Sequence, residues 1–268
     1  MIQKQVSVLG CGWLGLPLAE TLIQSGYTVK GSTTTSDKLT ELKDKGISPY
    51  LLNLDTASAE EITPFLQGSE VLLINIPPKL KTAATSYPDK MRFLLPHIIA
   101  AGINKVLFVS STSVYADAFP FSVITEDTPP NPDAENGRQI LEAEQVLRAS
   151  SGFKTTIVRP SGLIGGSRHP INQLAGRTGI AHPDAPINLV HRDDVVQIIT
   201  AIVEREKWGE VFNAAHPHHP TRKDYYTAKA LENGLAAPQF NHEAQSVGKI
   251  ISSQKVTESL GIDFIPTI

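Results

Sequence analysis

One segment constrains the fold more than any other: a glycine loop, Gly10-Cys11-Gly12-Trp13-Leu14-Gly15, set between the apolar run Val6 to Leu9 and the amphipathic stretch Leu16 to Ser25. Strand, loop and helix in that order give each glycine a physical task. Gly10 permits a tight turn, Gly12 lets backbone approach a pyrophosphate, and Gly15 lets the helix pack close to the strand. Trp13 and Leu14 lie between them and belong to the same candidate pyrophosphate site. The free N–H groups and positive dipole end of the helix would face the phosphates, so no side-chain charge is needed. Leu14, Leu18, Leu22 and Ile23 share a helical face, Ser25-Gly26 forms a stop, and Tyr27-Thr28-Val29 begins a second strand. This is the opening β-α-β of a Rossmann-type domain.

The alternation continues. The pattern predicts strands at 4–9, 27–32, 49–53, 70–76, 105–110 and 155–159, with helices near 14–25, 36–45, 57–67, 88–101 and 136–150. Such an order predicts an α/β fold, a doubly wound parallel sheet covered by helices on both faces. The expected division is a Rossmann domain over 1–161, to which 188–215 returns, and a small C-terminal substrate lobe from 162–187 and 216–268. Four prolines between Phe119 and Pro132 argue against any regular element there and for a long loop over the carboxyl ends of the strands. Ile76 and Pro77, at the end of the fourth strand, are expected to shape the cofactor wall.

A chain of 268 residues is long enough for a nucleotide domain and a smaller lobe. Its formal charge of -3 gives no general attraction to nucleic acid or to an anionic membrane, which leaves a small molecule as the expected partner. Cys11 is the only cysteine, so an intrachain disulfide is impossible and a reducing, cytoplasmic setting is expected. No apolar stretch approaches the roughly 20 residues needed to span a bilayer. The histidines of His216-Pro217-His218-His219-Pro220 read as a surface loop and not a metal site, because prolines hold the path extended and no cysteine completes a ligand set. His191, just before Asp193 and Asp194, is expected to cap a helix.

The form of the cofactor turns on the end of the second strand. NAD-selective sites place an acidic residue about 20 positions beyond the loop. Here the chain runs instead through Gly31-Ser32-Thr33-Thr34-Thr35-Ser36, with Lys38 beyond. Hydroxyls without a carboxylate do not repel a 2′-phosphate, so Ser32, Thr33 and Thr34 favour NADP over NAD. The absence of arginine, the stronger phosphate fork, weighs against this, and serine and threonine are also ordinary turn residues.

The segment Leu107-Phe108-Val109-Ser110-Ser111-Thr112-Ser113-Val114-Tyr115 resembles the fifth strand of extended short-chain dehydrogenases/reductases, the superfamily that includes the NAD-dependent epimerase/dehydratase family. Val158-Arg159-Pro160 with Gly162-Leu163-Ile164-Gly165, then Leu189 to Val195, then Gly209 to Asn213, resemble its later segments in order and spacing. The overall likeness is to an atypical, YeeZ-like branch, and GxGxxG stands where extended members usually carry GxxGxxG. The resemblance implies that Ser111 orients the substrate oxygen and that the cofactor's adenine lies near Asn53 and Leu54. It also implies a homodimer as an option, through the helices that follow strands four and five.

In the next helix the family carries Tyr-x-x-x-Lys, whose spacing lets the ammonium stabilise a tyrosinate. Alignment through Gly137, Arg138 and Glu144 places Asn136 at the tyrosine and Ile140 at the lysine. Asparagine can hydrogen-bond a carbonyl without titrating, and isoleucine offers no charge. Losing a positioned general acid costs about 10²–10⁴-fold. Arg138 is the nearest charged residue, a candidate to polarise a carbonyl or grip an anion as well as an ordinary solvated helix residue. A literal Tyr-x-x-x-Lys at Tyr225 to Lys229 falls in the expected small lobe and reads as a chance match. Two readings follow: an NAD(P)-dependent oxidoreductase or epimerase/dehydratase acting on a small polar metabolite, or a non-catalytic NADP-binding sensor.

Overall fold

In the structure, a computed structural model describing residues 4–78 and 85–265, the apolar run becomes β1 (Gln5–Leu9) and the glycine loop feeds α1 (Gly15–Gln24). The chain then alternates through β2 (Thr28–Thr33), α2 (Lys38–Asp44), β3 (Ser48–Leu51), α3 (Ala59–Leu66), β4 (Val71–Ile74), α4 (Tyr87–Ala100) and β5 (Lys105–Val109). Next come a short β6 (Ser122–Ile124), α5 (Glu135–Arg148), β7 (Lys154–Pro160), β8 (Gly162–Ile164), α6 (Ile171–Leu174) and β9 (Leu189–His191). They are followed by α7 (Arg192–Glu204), β10 (Val211–Ala214), α8 (Arg222–Glu232), β11 (Lys249–Ile251) and α9 (Gln254–Leu260). Every strand and helix expected within the first 160 residues is present, with bounds within two residues of those predicted.

Seven strands form one parallel sheet in the order β10-β7-β5-β4-β1-β2-β3. β1 pairs with β2 on one side and with β4 on the other. The winding direction therefore reverses between β1 and β4, which opens a crevice at their carboxyl ends. All four residues of β4 are buried, as a strand covered on both faces requires. One face packs α1, α7 and α9 through Leu18, Leu22, Ile198, Ile202 and Leu260. The other packs α3, α4 and α5 through Ile62, Phe65, Leu94, Ile98 and Leu147. This is the doubly wound Rossmann-type fold that the sequence predicts.

Two expectations are corrected. The proline-rich stretch does contain a regular element, since β6 pairs in parallel with β11. Its prolines at 120, 129, 130 and 132 leave the intervening residues with backbone donors to spend. The segment 216–268 also divides. α8 joins a small separate core in which Tyr225, Tyr226 and Ala230 meet Ile164, Ile171 and Ile187. By contrast α9 buries Val256 and Leu260, one helical turn apart, in the main core against α7 and β10. Among the described residues no helix is long and apolar enough to cross a membrane.

The start of α7 carries an unusual cost. His191 caps it as expected, its Nδ1 accepting from the Asp193 N–H at 3.2 Å. Asp194 is fully buried in the first turn; its Oδ1 accepts from the Ile265 N–H at 3.0 Å, while Oδ2 has no partner among the described residues. Burial raises this carboxyl above the ordinary aspartate value. A folded-state pKa above the unfolded one means that stability is greatest below the unfolded value and falls as pH rises through the folded value. Asp194→Asn keeps an oxygen for Ile265, so a series of urea titrations from pH 4 to 7 should show a flatter stability profile than the wild type. A profile with the same slope would refute the assignment.

Candidate functional site

The glycine loop has the close contacts its pattern demands. Gly10 has φ +103°, and a Cβ there would lie 2.6 Å from the Asn75 carbonyl oxygen. At Gly15 a Cβ would fall 2.1 Å from the Gly10 carbonyl oxygen, so only glycine lets α1 start this close to the turn. Gly12 faces open space, with nothing within 4 Å of an added Cβ. The N–H groups of Gly12, Trp13 and Leu14 donate to no acceptor among the described residues, and no acidic residue stands in the first turn of α1. Unpaired donors at a helix start, over open space and at the sheet's switch point, fit a pyrophosphate.

Neighbouring strands hold the loop in place. Ser32 accepts from the Gly10 N–H through Oγ at 2.9 Å and from the Cys11 N–H through its carbonyl at 2.7 Å. This almost fully buried hydroxyl therefore braces the loop from β2, although Ser32 also lines the adjoining groove. Asn75, which the sequence reading passed over, donates through Nδ2 to the Gly10 carbonyl at 3.1 Å. Its signal was a polar residue at the carboxyl end of an otherwise apolar strand, directly beside the loop. Cys11 is buried against Gly31, and burial pushes its thiol up to about 12. As the sole cysteine it should label with a thiol reagent at pH 8 only after unfolding. Rapid stoichiometric labelling of the native protein would contradict this packing.

A groove continues from the loop across the carboxyl ends of β4, β1, β2 and β3, lined by Thr33, Thr34, Lys38, Asn53, Leu54, Ile76 and Pro77. Thr33 is nearly buried and its Oγ1 accepts from the Thr35 N–H at 3.2 Å, so that hydroxyl shapes the turn. Thr34 and Lys38 are exposed. Asn53 accepts from the Asp55 N–H at 3.2 Å. Lys90, itself almost buried, sets its Nζ 2.9 Å from the Asp55 carboxylate at the same groove. The buried Tyr87 hydroxyl donates to the Ile76 carbonyl at 2.6 Å, which fixes the wall where β4 ends.

Ser111 opens a single 3-10 turn after β5, its Oγ accepting from the Ser113 N–H at 3.1 Å. α5 closes on this turn at Gly137, where a Cβ would lie 2.2 Å from the Ser113 carbonyl oxygen. Asn136, the neighbouring residue, is half-buried and makes no side-chain hydrogen bond among the described residues. Ile140 is buried in the core. Arg138 points away from this arrangement: it is 54% exposed, pairs with Glu135 at 3.0 Å and donates to the Asp133 carbonyl at 2.6 Å. The structure thus brings Ser111 and the start of α5 together and leaves Arg138 on the helix surface, where two i±3 to i±5 acceptors hold it. The Tyr225 hydroxyl meets His169 Nε2 at 2.9 Å in the small core. Among the described residues no group of three acidic, histidine or cysteine side chains is arranged to hold a metal ion.

Behind Ser111 lies a polar network that the sequence reading did not assemble. Arg159 of β7 grips Glu144 of α5 with Nε at 2.9 Å and a terminal nitrogen at 2.5 Å, both side chains almost fully buried. The Ser110 hydroxyl donates to the same carboxylate, and the other Arg159 terminal nitrogen donates to the Tyr115 hydroxyl at 2.5 Å. A bidentate fork plus these bonds satisfies charges that would otherwise be very costly in the core. Glu144→Ala leaves Arg159 buried and unpaired. It should cost about 3–5 kcal/mol in denaturant unfolding, and a loss under 1 kcal/mol would overturn this account.

A family model described as NAD(P)H-binding matches residues 10–206, spanning both the glycine loop and the network behind Ser111. The chain belongs to the NAD(P)H-binding family. This family member is 35% identical to the protein YeeZ of Escherichia coli strain K12, the match covering 97% of the chain and 96% of YeeZ. A functionally unknown conserved protein from Silicibacter pomeroyi has the same fold, with TM-score 0.81 at 23% identity over 99% of this chain and 95% of that one. UDP-glucuronic acid 4-epimerase from Bacillus cereus, solved in complex with NAD, superposes with TM-score 0.79 at 18% identity over 98% of this chain and 94% of that one. The NAD(P)H-binding protein thus shares its fold with an epimerase solved with NAD and matches YeeZ over nearly its whole length.

Proposed function

We propose that the protein binds NADP(H) along the glycine loop and uses it as an oxidoreductase or epimerase on a small polar metabolite. The observation that carries this reading is the trio of N–H groups at Gly12, Trp13 and Leu14, without partners among the described residues and beside open space. Gly10 and Gly15 would let the pyrophosphate reach them, and the groove past Ile76 and Pro77 to Asn53 and Leu54 would take the adenosine. Preference for the 2′-phosphorylated cofactor rests on Thr34 and Lys38, both exposed at the groove, and on the pairing of Asp55 with Lys90. The bound cofactor would supply hydride transfer.

The chain's own contribution is binding and orientation. The Ser111 hydroxyl would hold the substrate oxygen, and the free Asn136 amide would donate to the same group. Neither side chain titrates near neutrality, so the proton comes from water or from the substrate. With its guanidinium committed to Glu135 and the Asp133 carbonyl, Arg138 enters this scheme only as a support for the start of α5. The small core around Tyr225 and Tyr226 would form the far wall of the substrate cleft.

Calorimetric titration with NADP+, NADPH, NAD+ and NADH tests the reading. Binding of the phosphorylated forms should be tighter, and Lys38→Ala should weaken NADP+ by about tenfold while leaving NAD+ unchanged. No binding of any of the four would sink the proposal, and tighter binding of NAD+ would sink its NADP part. With cofactor bound, a carbonyl-substrate screen followed by NADPH absorbance should find turnover that Ser111→Ala abolishes.

A further inference from the structure

Trp13 is the one large side chain in the glycine loop, and its indole is shared by two cations. The Arg168 guanidinium carbon lies 4.9 Å from the ring centroid and that of Arg192 lies 5.3 Å away. Arg168 comes from the turn after β8, which is closed by reciprocal backbone hydrogen bonds between Gly165 and Arg168 at 3.0 and 3.1 Å. Arg192 is the first residue of α7. The Arg168 side chain has no hydrogen bond and no carboxylate partner among the described residues. Arg192 bonds through its Nε to Asp193 Oδ1 at 2.9 Å, and its two terminal nitrogens have no partner among the described residues.

Two guanidiniums gathered at one ring concentrate positive charge there, and the half-exposed Asp193 carboxylate, bonded to Arg192, offsets only part of it. The arrangement is therefore organised for an anion that is not part of the protein. A carboxylate is filled by one guanidinium fork, whereas a phosphoryl group has three oxygens and can engage two forks. The indole fixes both side chains by cation–π contact, so little rotamer entropy would be lost on binding. His191 stands beside this pair, its Nδ1 on the Asp193 N–H and its Nε2 facing Gly165.

We propose that Arg168 and Arg192, seated on Trp13, form a phosphoryl-binding site at the edge of the glycine loop. The phosphoryl group is either the pyrophosphate of the dinucleotide or that of an anionic substrate approaching from the β8 side. The choice between these sources rests on the cofactor reading above; the existence of the site does not.

The chain has two tryptophans, Trp13 and Trp208, and Trp208 donates to Glu206 beside Lys105, at the opposite end of the sheet. Trp208→Phe therefore leaves Trp13 as the sole tryptophan, read by excitation at the red edge where tyrosine does not absorb. In that background, inorganic pyrophosphate should change the emission saturably, and Arg168→Gln or Arg192→Gln should each weaken its binding about tenfold. Arg168 is exposed, so its variant should keep the parent's melting temperature. If NADP+ competes with pyrophosphate and weakens in parallel, the cofactor supplies the phosphoryl group. If NADP+ affinity holds within twofold while pyrophosphate still binds beside it and is lost in the variants, the substrate supplies it. No saturable response in the parent, or both variants within twofold of it, overturns the site. A parent that binds pyrophosphate but none of the four dinucleotides retains the site and discards the cofactor reading.

Discussion

The architecture depends on one close approach, the start of α1 against the turn at Gly10. The Gly15 position lies so near the Gly10 carbonyl that any Cβ would overlap it. That contact places α1 over β1 and leaves the first N–H groups of the helix without acceptors among the described residues, at the sheet's switch point. Ser32 and Asn75 then brace the loop from the strands on either side, at the Gly10 N–H and the Gly10 carbonyl. A residue read as a ligand of the cofactor is thus first a support of the backbone that would bind it.

The second fixed region is the floor under Ser111. Gly137 lets α5 close onto the turn that follows β5, and the Glu144–Arg159 pair ties the same helix to β7. The face of α5 that bears Asn136, Ile140 and Glu144 at four-residue intervals is thereby immobilised along its length. Ile140 contributes packing, and Asn136 keeps an amide with no hydrogen-bond partner among the described residues.

Much of this was legible in the sequence for identifiable reasons. The glycine spacing, the apolar strand runs and the helix stops are local signals, and they located the sheet and the loop closely. Features that depend on pairing across the chain were not legible. Ser32 as a brace, β6 against β11 and the return of α9 to the main core all arise from partners distant in sequence. Asn75 could have been found as a polar strand end beside the loop. The Arg168 and Arg192 contacts to Trp13 could not, because nothing in the order of residues brings those three segments together.

The bond from the Ile265 N–H to buried Asp194 has a mechanical meaning. Asp194 lies in the first turn of α7, two residues after Arg192, so the strand of chain around 265 is tethered to the same helical turn that presents a guanidinium to Trp13. A pull on that tether, from a fused tag or a bound neighbour, would be transmitted to the rim of the cleft without touching it. The placement of a purification handle is therefore an experimental variable for any measurement of ligand affinity.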